Sequence, residues 1–401
     1  MSEIIIKKCE DYDYERVREC IYDILNQAQM SARIKPGMDV VVKANLLSKK
    51  TPDQCVTTNP EVIRAVCEYV AEHGARAIIT DSPAGPYNES SLRGIYASAG
   101  MTEAARKSGA TLNYDTGHES VRLTGAKTLE RIDVIKPVIN AHMIINVAKL
   151  KTHVMMTYTG AVKNLYGVIP GLTKAAYHMK LQEPENFANH LIDICEFVKP
   201  DFSIIDAVHA MEGDGPNSGD KVEFGFLLAG TDPYELDYVA SSMAGIGKSE
   251  IPTLVNAQKR GLLKEEDITV ILDEEDGEYV AIDMNEFREY ISILELKPFK
   301  KPKAVSVNFL SGRVPKGLES YLIEKSKSKP YFIQEKCIGC GHCVRNCPAK
   351  IIHLEDGKAV ADLSKCISCF CCHEVCPKDA VEIKVPFIAR VLFREKAGSK
   401  D

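Results

Sequence analysis

The 401-residue chain reads as an α/β protein, a mostly parallel sheet flanked by helices, followed by a small α+β module. Three observations lead there. Short continuous apolar runs such as Asp39–Lys43 (DVVVK) lack polar alternation and mark strands covered on both faces. These runs alternate with amphipathic stretches of helical length, in the strand–helix–strand order of a parallel sheet. Towards the C-terminal end, eight of the 14 cysteines repeat one spacing twice, a pattern no α/β body needs.

Taken in order, Ile4–Lys8 reads as a strand, Tyr14–Gln27 as an amphipathic helix and Asp39–Lys43 as a second strand. Asn59 then caps a helix whose first position is Pro60, running to His73 and closing on Gly74. Ala77–Thr80 is the next buried strand, so this portion is a Rossmann-like βαβ unit. Helical segments over Ser90–Ser108 lead to a strand near Thr111–Tyr114, and Val121–Thr124 with Arg131–Ile135 form a local strand pair. Strands follow at Ala141–Val147, Phe202–Ile205, Phe224–Ala229 and Ile268–Leu272, with helices at Asn186–Val198, Pro233–Ala244 and Ile251–Arg260.

This body takes residues 1–295. Residues 296–330 form a basic connector in which nine Lys and Arg residues from Lys297 to Lys329 face only Glu319 and Glu324. It reads as a solvated linker, or as a basic face for an acidic electron donor. Ser326–Pro330 is the hinge into a module at 331–385. A tail at 386–401 follows, and Val385–Glu395 is apolar enough to pack back on the body.

Within the module, Cys337, Cys340, Cys343 and Cys347 stand as C-x2-C-x2-C-x3-C followed by Pro348, and Cys366, Cys369, Cys372 and Cys376 repeat this before Pro377. A cube of iron and sulfide needs four thiolates, and a tight cysteine loop supplies three. The fourth lies past the loop, where the chain has turned away, and serves the other cube. One [4Fe–4S] cluster is therefore assigned to Cys337, Cys340, Cys343 and Cys376, and a second to Cys366, Cys369, Cys372 and Cys347. Zinc takes C-x2-C pairs but explains neither the third cysteine nor the repeat. Cys371 is a bystander. The segment resembles a bacterial-type two-cluster ferredoxin, prolines and intervening strands included.

A net charge of −6 argues against a general nucleic-acid binder. The first residues show no apolar signal core, and no run is long enough to span a bilayer, so a cytoplasmic protein without a membrane partner is expected. Cys9, Cys20, Cys55, Cys67 and Cys195 have no metal spacing and read as buried thiols.

Ligands of parallel sheets bind at the carboxyl edge. Polar groups follow the expected strands there: Lys43 and Asn45; Asp81 and Ser82; Lys149, Lys151, Thr152 and His153; Asp206 and His209. The stretch Lys149–His178 is the densest, adding Lys163, Asn164, Lys174 and His178. Lysines suit carboxylate or phosphate, and Gly160, Gly167 and Gly171 would let the backbone approach a ligand. His153 or His178 would donate a proton, and Asp206 would orient one of them or cap a strand. Gly245–Ser249 lacks the first glycine of a phosphate loop and MEGDGP lacks its Lys-Ser/Thr, so no ATP site is supported; no G-x-G-x-x-G supports NAD.

KANL at 43–46, TTNPEVIRAV at 57–66, DSP at 81–83, KLKTH at 149–153, GAVKNLYGVIPG at 160–171 and MEGDGP at 211–216 together resemble the domain of unknown function family numbered 362. The resemblance covers about Ile4–Leu272 and implies an α/β body, often fused to a ferredoxin module, but no mechanism. The reading from residues is a ferredoxin-dependent reductase. A redox protein such as a ferredoxin or flavodoxin feeds the clusters, and a small anionic substrate sits in the Lys/His crevice. The rival is a non-catalytic electron-transfer or binding module for a protein partner. A further metal or organic cofactor at His153 and His178, and a homo-oligomer, stay open.

Overall fold

The computed structural model describes residues 2–273, 278–303 and 326–386. The body's strands are β1 (Ser2–Lys8), β2 (Asp39–Lys43), β3 (Arg76–Thr80), β4 (Thr111–Leu112), β5 (His118–Arg122), β6 (Arg131–Ile135), β7 (Met143–His153), β8 (Thr157–Thr159), β9 (Phe202–Glu212), β10 (Asp220–Gly230), β11 (Ile268–Asp273) and β12 (Tyr279–Ile282). One large sheet runs β12-β11-β1-β10-β9-β7-β2-β3-β4, with β8 on the far end of β7. The half from β9 to β4 is wholly parallel. β10 enters antiparallel between β9 and β1. β5 and β6 pair apart from it, as expected.

Both faces of the sheet are buried, which is why its strands read as apolar runs. On one face Ile5, Val40, Val42, Ile145 and Val147 pack against Val17, Ile21, Ile63, Val66 and Tyr69. These come from the helices Tyr14–Gln27 and Pro60–Glu72. On the other face Ile4, Ile6, Val41, Ile144 and Ile205 pack against Phe187, Leu191, Leu236 and Leu254. The cap read from sequence forms, Asn59 accepting from the Glu61 N–H ahead of Pro60; Asp232, not read as a cap, likewise accepts from the N–H groups of Tyr234 and Glu235 ahead of its helix.

Three strands outrun their expected ends. β7 continues through Lys149–His153 with all its residues buried, and β9 and β10 extend into a long hairpin. Lys149, Lys151, His153, Asp206 and His209 therefore lie within strands, not in loops after them. Charged residues ended the apolar runs but not the backbone ladder, because the ammonium groups find buried partners.

The C-terminal module comprises two antiparallel pairs, the terminal strands β13 (Lys329–Phe332) with β16 (Val381–Lys384) and the hairpin β14 (Ile352–Glu355) with β15 (Lys358–Ala361), and two short helices, His342–Asn346 and Cys371–Glu374. It docks on the β9–β10 turn. Asp379 meets Lys50 at 3.3 Å, Asn217 at 3.1 Å and Ser218 at 2.7 Å. Asn217 also donates to the Cys376 carbonyl, and the His373 ring bridges the carbonyls of Val381 and Asp214. Val154 of the body, Phe370 and Ile383 close a small apolar contact.

The start of the basic stretch is not a free docking face. Phe299 is buried in the body's core, Lys300 pairs with Glu212 and Asp220, Lys301 with Glu250, and Lys303 with Asp214. Most of the remaining connector and of Val385–Glu395 lies outside the described residues.

Candidate functional site

The module's cysteines gather by fours. Cys337, Cys340, Cys343 and Cys376 line one cavity of about 390 Å3; Cys347, Cys366, Cys369 and Cys372 line another of about 350 Å3. Each set takes three thiols from one motif and one from the other. Among the described residues no three His, Cys, Asp or Glu side chains converge tightly enough for a single metal ion. Thiols spread around a cavity suit a multi-iron cube better than zinc. Backbone N–H groups of Ala359, Ser368 and Ala380 point at the sulfurs of Cys337, Cys366 and Cys376 at 3.4, 3.4 and 3.2 Å. Such donors offset charge on cluster thiolates. The donor set therefore fits iron–sulfur clusters, which when bound supply one-electron transfer.

The two loops solve one backbone problem with different residues. Gly339 and Gly341 take φ of +67° and +69°, and their counterparts Ser368 and Phe370 take +55° and +59°. A side chain there costs on the order of 1 kcal/mol. Phe370 sits in the small apolar contact with Val154 and Ile383, which offsets that strain.

Between module and body lies a cleft of about 750 Å3, part of it open to solvent. The body contributes Asn45, Asp81, Ser82, Lys151, Lys163, Asn164, Lys174 and His178; the module contributes Asn346, Cys371, Glu374 and Val375. Cys371 adjoins Cys372 in sequence, so a cysteine of one cage stands one residue from the cleft wall. Cys371 does not line the cage itself.

Of the expected ligand-holding residues, several are committed to the protein. Lys43 lies behind the wall, bonded to Asp81 and to the Ala44 carbonyl, both at 2.7 Å. Asp81 also receives the Leu46 and Ser82 N–H groups, and Ser82 Oγ accepts from Gly171 N–H. Asn164 binds Asn146. Lys149 is fully buried against Asp206 at 2.9 Å, and Tyr12 donates to the same carboxylate at 2.6 Å. Neither Lys149 nor Asp206 reaches the cleft. Asp206 also accepts from Asn59 N–H and contacts no histidine that lines the cleft, which corrects its orienting role. The glycines are needed for packing: a Cβ at Gly167 would strike Asp81 and Lys43, at Gly160 Asp237 and Tyr158, and at Gly171 the Gly85 carbonyl, while Gly167 and Gly171 also line the cleft.

Three lysines remain at the cleft. Lys151 donates to Asn45 at 2.6 Å and to the Val56 carbonyl at 2.8 Å; Lys174 holds the Ser82 carbonyl. Burial, reinforced by neighbouring lysines, pulls both down to about 7. Lys163 is half-buried, and burial lowers its pKa while Glu374 and Cys371 act against that fall.

The histidines differ from expectation in charge. His153 accepts Met155 and Met156 N–H groups on Nδ1, which puts the neutral ring's proton on Nε2. That nitrogen lies 3.1 Å from Glu374 Oε1, in a contact too bent for a full hydrogen bond. Burial lowers His153 to about 4, as it does His178, whose ring stacks on Phe187 at 4.3 Å. Burial alone would raise Glu374, but His153 and Lys163 bring it down to about 2. At neutral pH neither histidine is a charged acid, contrary to the proton-donor expectation. Glu374 went unnoticed in the sequence, although its place between Cys372 and Cys376 ties it to the cage.

Fold and site together define an iron–sulfur protein, a ferredoxin-like dicluster module seated on an α/β body. Its residues 40–242 match the family described as a domain of unknown function, DUF362, and the chain belongs to that family. Residues 329–377 match a 4Fe-4S dicluster domain. A thylakoid-associated protein of Synechocystis sp. is 34% identical over 230 residues, 57% of this chain and 70% of that protein. Ferredoxin-2 of Desulfomicrobium norvegicum is 58% identical over 26 residues, 6% of this chain and 44% of its own. Among solved structures, the lactate racemase apoprotein of Thermoanaerobacterium thermosaccharolyticum aligns with TM-score 0.39 and 13% identity, over 60% of this chain and 57% of that one. Among the described residues, no helix is long and apolar enough to cross a membrane.

Proposed function

We propose that this protein is a reductase that passes electrons from two [4Fe–4S] clusters to a small anionic acceptor in the interdomain cleft. The observation that carries the reading is the shared wall: Cys371 and Glu374, on the helix that also bears Cys372, face the same space as Lys151, Lys163 and Lys174. Electrons enter at the outer cage, where Cys340 is exposed, from a redox protein such as a ferredoxin or flavodoxin. They leave from the cage of Cys366, Cys369, Cys372 and Cys347. Two electrons and two protons complete the reduction of one acceptor. Lys163 holds the anion, and an ammonium near 7, Lys174 or Lys151, is matched to give one proton at neutral pH. The second proton comes from solvent.

The test mixes anaerobically reduced holoprotein with oxo- and enoyl-carboxylates and follows the return of cluster absorbance and the reduced product. Reoxidation is expected with at least one acceptor, about tenfold or more slower in Lys163→Met. Because both lysines are lowered towards 7, their ammonium form is present below that pH and lost above it. Acceptor binding should therefore weaken as pH rises from 7 to 9, where an ordinary lysine would still be charged. Clusters that reduce normally and pass electrons only to another protein would leave a relay rather than a reductase. A flat profile from pH 6 to 9 would remove the lysines from the mechanism.

A further inference from the structure

The polar groups of the cleft divide into those already satisfied and those still waiting. On the side of β2 and β3, Asn45 receives Lys151, Ser82 receives Gly171 N–H, and Lys174 is held by the Ser82 carbonyl. Towards the cage the pattern changes. Glu374 is about nine-tenths buried, yet its carboxylate meets only the bent contact of His153 Nε2 with Oε1 at 3.1 Å and accepts no full hydrogen bond among the described residues. His178 is 5% exposed, its ring fixed on Phe187, and its Nδ1 has no partner. Lys163 has no hydrogen-bond or ion-pair partner among the described residues. A buried donor or acceptor left unpaired is costly, so these groups specify what should lie between them.

A bare oxyanion would answer Lys163 but set acceptor oxygens against the Glu374 carboxylate, a like-charge contact. An uncharged ligand would answer Glu374 and leave the ammonium alone. A molecule carrying both an anionic group and a hydrogen-bond donor answers both at once. We infer that the cleft takes a small carboxylic acid bearing a hydroxyl or amino group, its carboxylate on Lys163 and its donor on Glu374. This rests on the cleft being the acceptor site, and it narrows that reading to acceptors whose reduction product is bifunctional: two electrons and two protons turn a 2-oxo acid into the 2-hydroxy acid, or a 2-imino acid into the 2-amino acid. It also seats the donor-bearing carbon on the ferredoxin module's own side chain, beside the cage that delivers electrons. Discrimination then follows from the unmet carboxylate: an analogue lacking the donor leaves Glu374 unpaired.

The inference is tested by calorimetry on the oxidised, anaerobically purified full-length holoprotein at pH 6.5. The probes are three-, four- and six-carbon acids, each as the 2-hydroxy, 2-amino and unsubstituted compound, with inorganic phosphate as the bare oxyanion. One substituted series is expected to bind at least about tenfold more tightly than its unsubstituted partner and than phosphate. Which series does so decides between hydroxyl and amine. Glu374→Leu should reduce the substituted acids to the level of the unsubstituted ones. Glu374→Gln, which keeps shape and an acceptor oxygen, should retain the preference and raise phosphate affinity. Equal or tighter binding of unsubstituted acids or phosphate overturns the inference, as does a preference that survives in Glu374→Leu or no binding of any probe. Cluster reoxidation is scored separately. Unselective binding with reoxidation intact removes the ligand class alone; selective binding without reoxidation removes the reductase reading alone.

Discussion

Replacing Cys347 with alanine is expected to remove the cluster held by the other motif and to spare the one built by its own. Each cavity in the module is lined by three thiols of one motif and the last thiol of the other, with Cys347 beside Cys366, Cys369 and Cys372. The pairwise consequences are sharp. Cys347→Ala with Cys366→Ala strips one cage and should leave about four of eight iron atoms per chain. Cys347→Ala with Cys337→Ala opens both cages and should leave almost none. Were the ligands sorted by motif, the two results would exchange places. Iron and sulfide analysis of anaerobically purified protein, with the electron paramagnetic resonance signal of the reduced state, reads the difference. Cys371→Ala belongs beside them as a control, because Cys371 faces the cleft and not the cage, and it should keep the full iron content.

The crossed lining of the two cavities was legible in the sequence because cluster chemistry fixes ligand spacing almost by itself. The parallel half of the sheet was legible for a similar reason: β2 and β3 are covered on both faces, so their centres, Val40–Val42 and Ala77–Ile79, are apolar without alternation. What stayed hidden was the far half of β7 and β9. Nothing local distinguishes a lysine that ends a strand from one that continues it, as Lys149 and Lys151 do, since the partners Asp206, Asn45 and Val56 come from distant segments. The antiparallel entry of β10 was hidden too, because a buried strand carries no mark of its direction. Within the site, residue type pointed to side chains that the fold brings to one cleft but could not tell which of them are committed to other protein groups. Lys43, Asp81 and Ser82 spend their polar atoms holding loops together, whereas Lys163 remains unpaired. Glu374 could be weighed only once the module was seen against the body.

The lysine-rich stretch therefore contains residues of opposite kinds, and one substitution separates them. Lys149→Met should destabilise the body by about 3–5 kcal/mol, the usual consequence of leaving one member of a buried ion pair alone. Lys149 and Asp206 are both fully buried at 2.9 Å, and the orphaned carboxylate would keep only Tyr12 and the Asn59 N–H. The side chain swap changes volume little, so a packing defect contributes little to the loss. Adding Asp206→Asn removes the stranded charge while preserving an acceptor for Asn59, and it should recover more than half of the deficit. Lys163→Met is the counterpart: half-buried and without an ion pair, it should change stability by less than about 1 kcal/mol while abolishing anion binding. Urea unfolding under anaerobic conditions, followed by far-ultraviolet circular dichroism, measures the first effect, and calorimetry with a carboxylate probe measures the second. A Lys149→Met protein as stable as the parent but unable to bind anions would place Lys149 in the site after all. The buried pair with Asp206 would then be a resting-state contact that the ligand breaks.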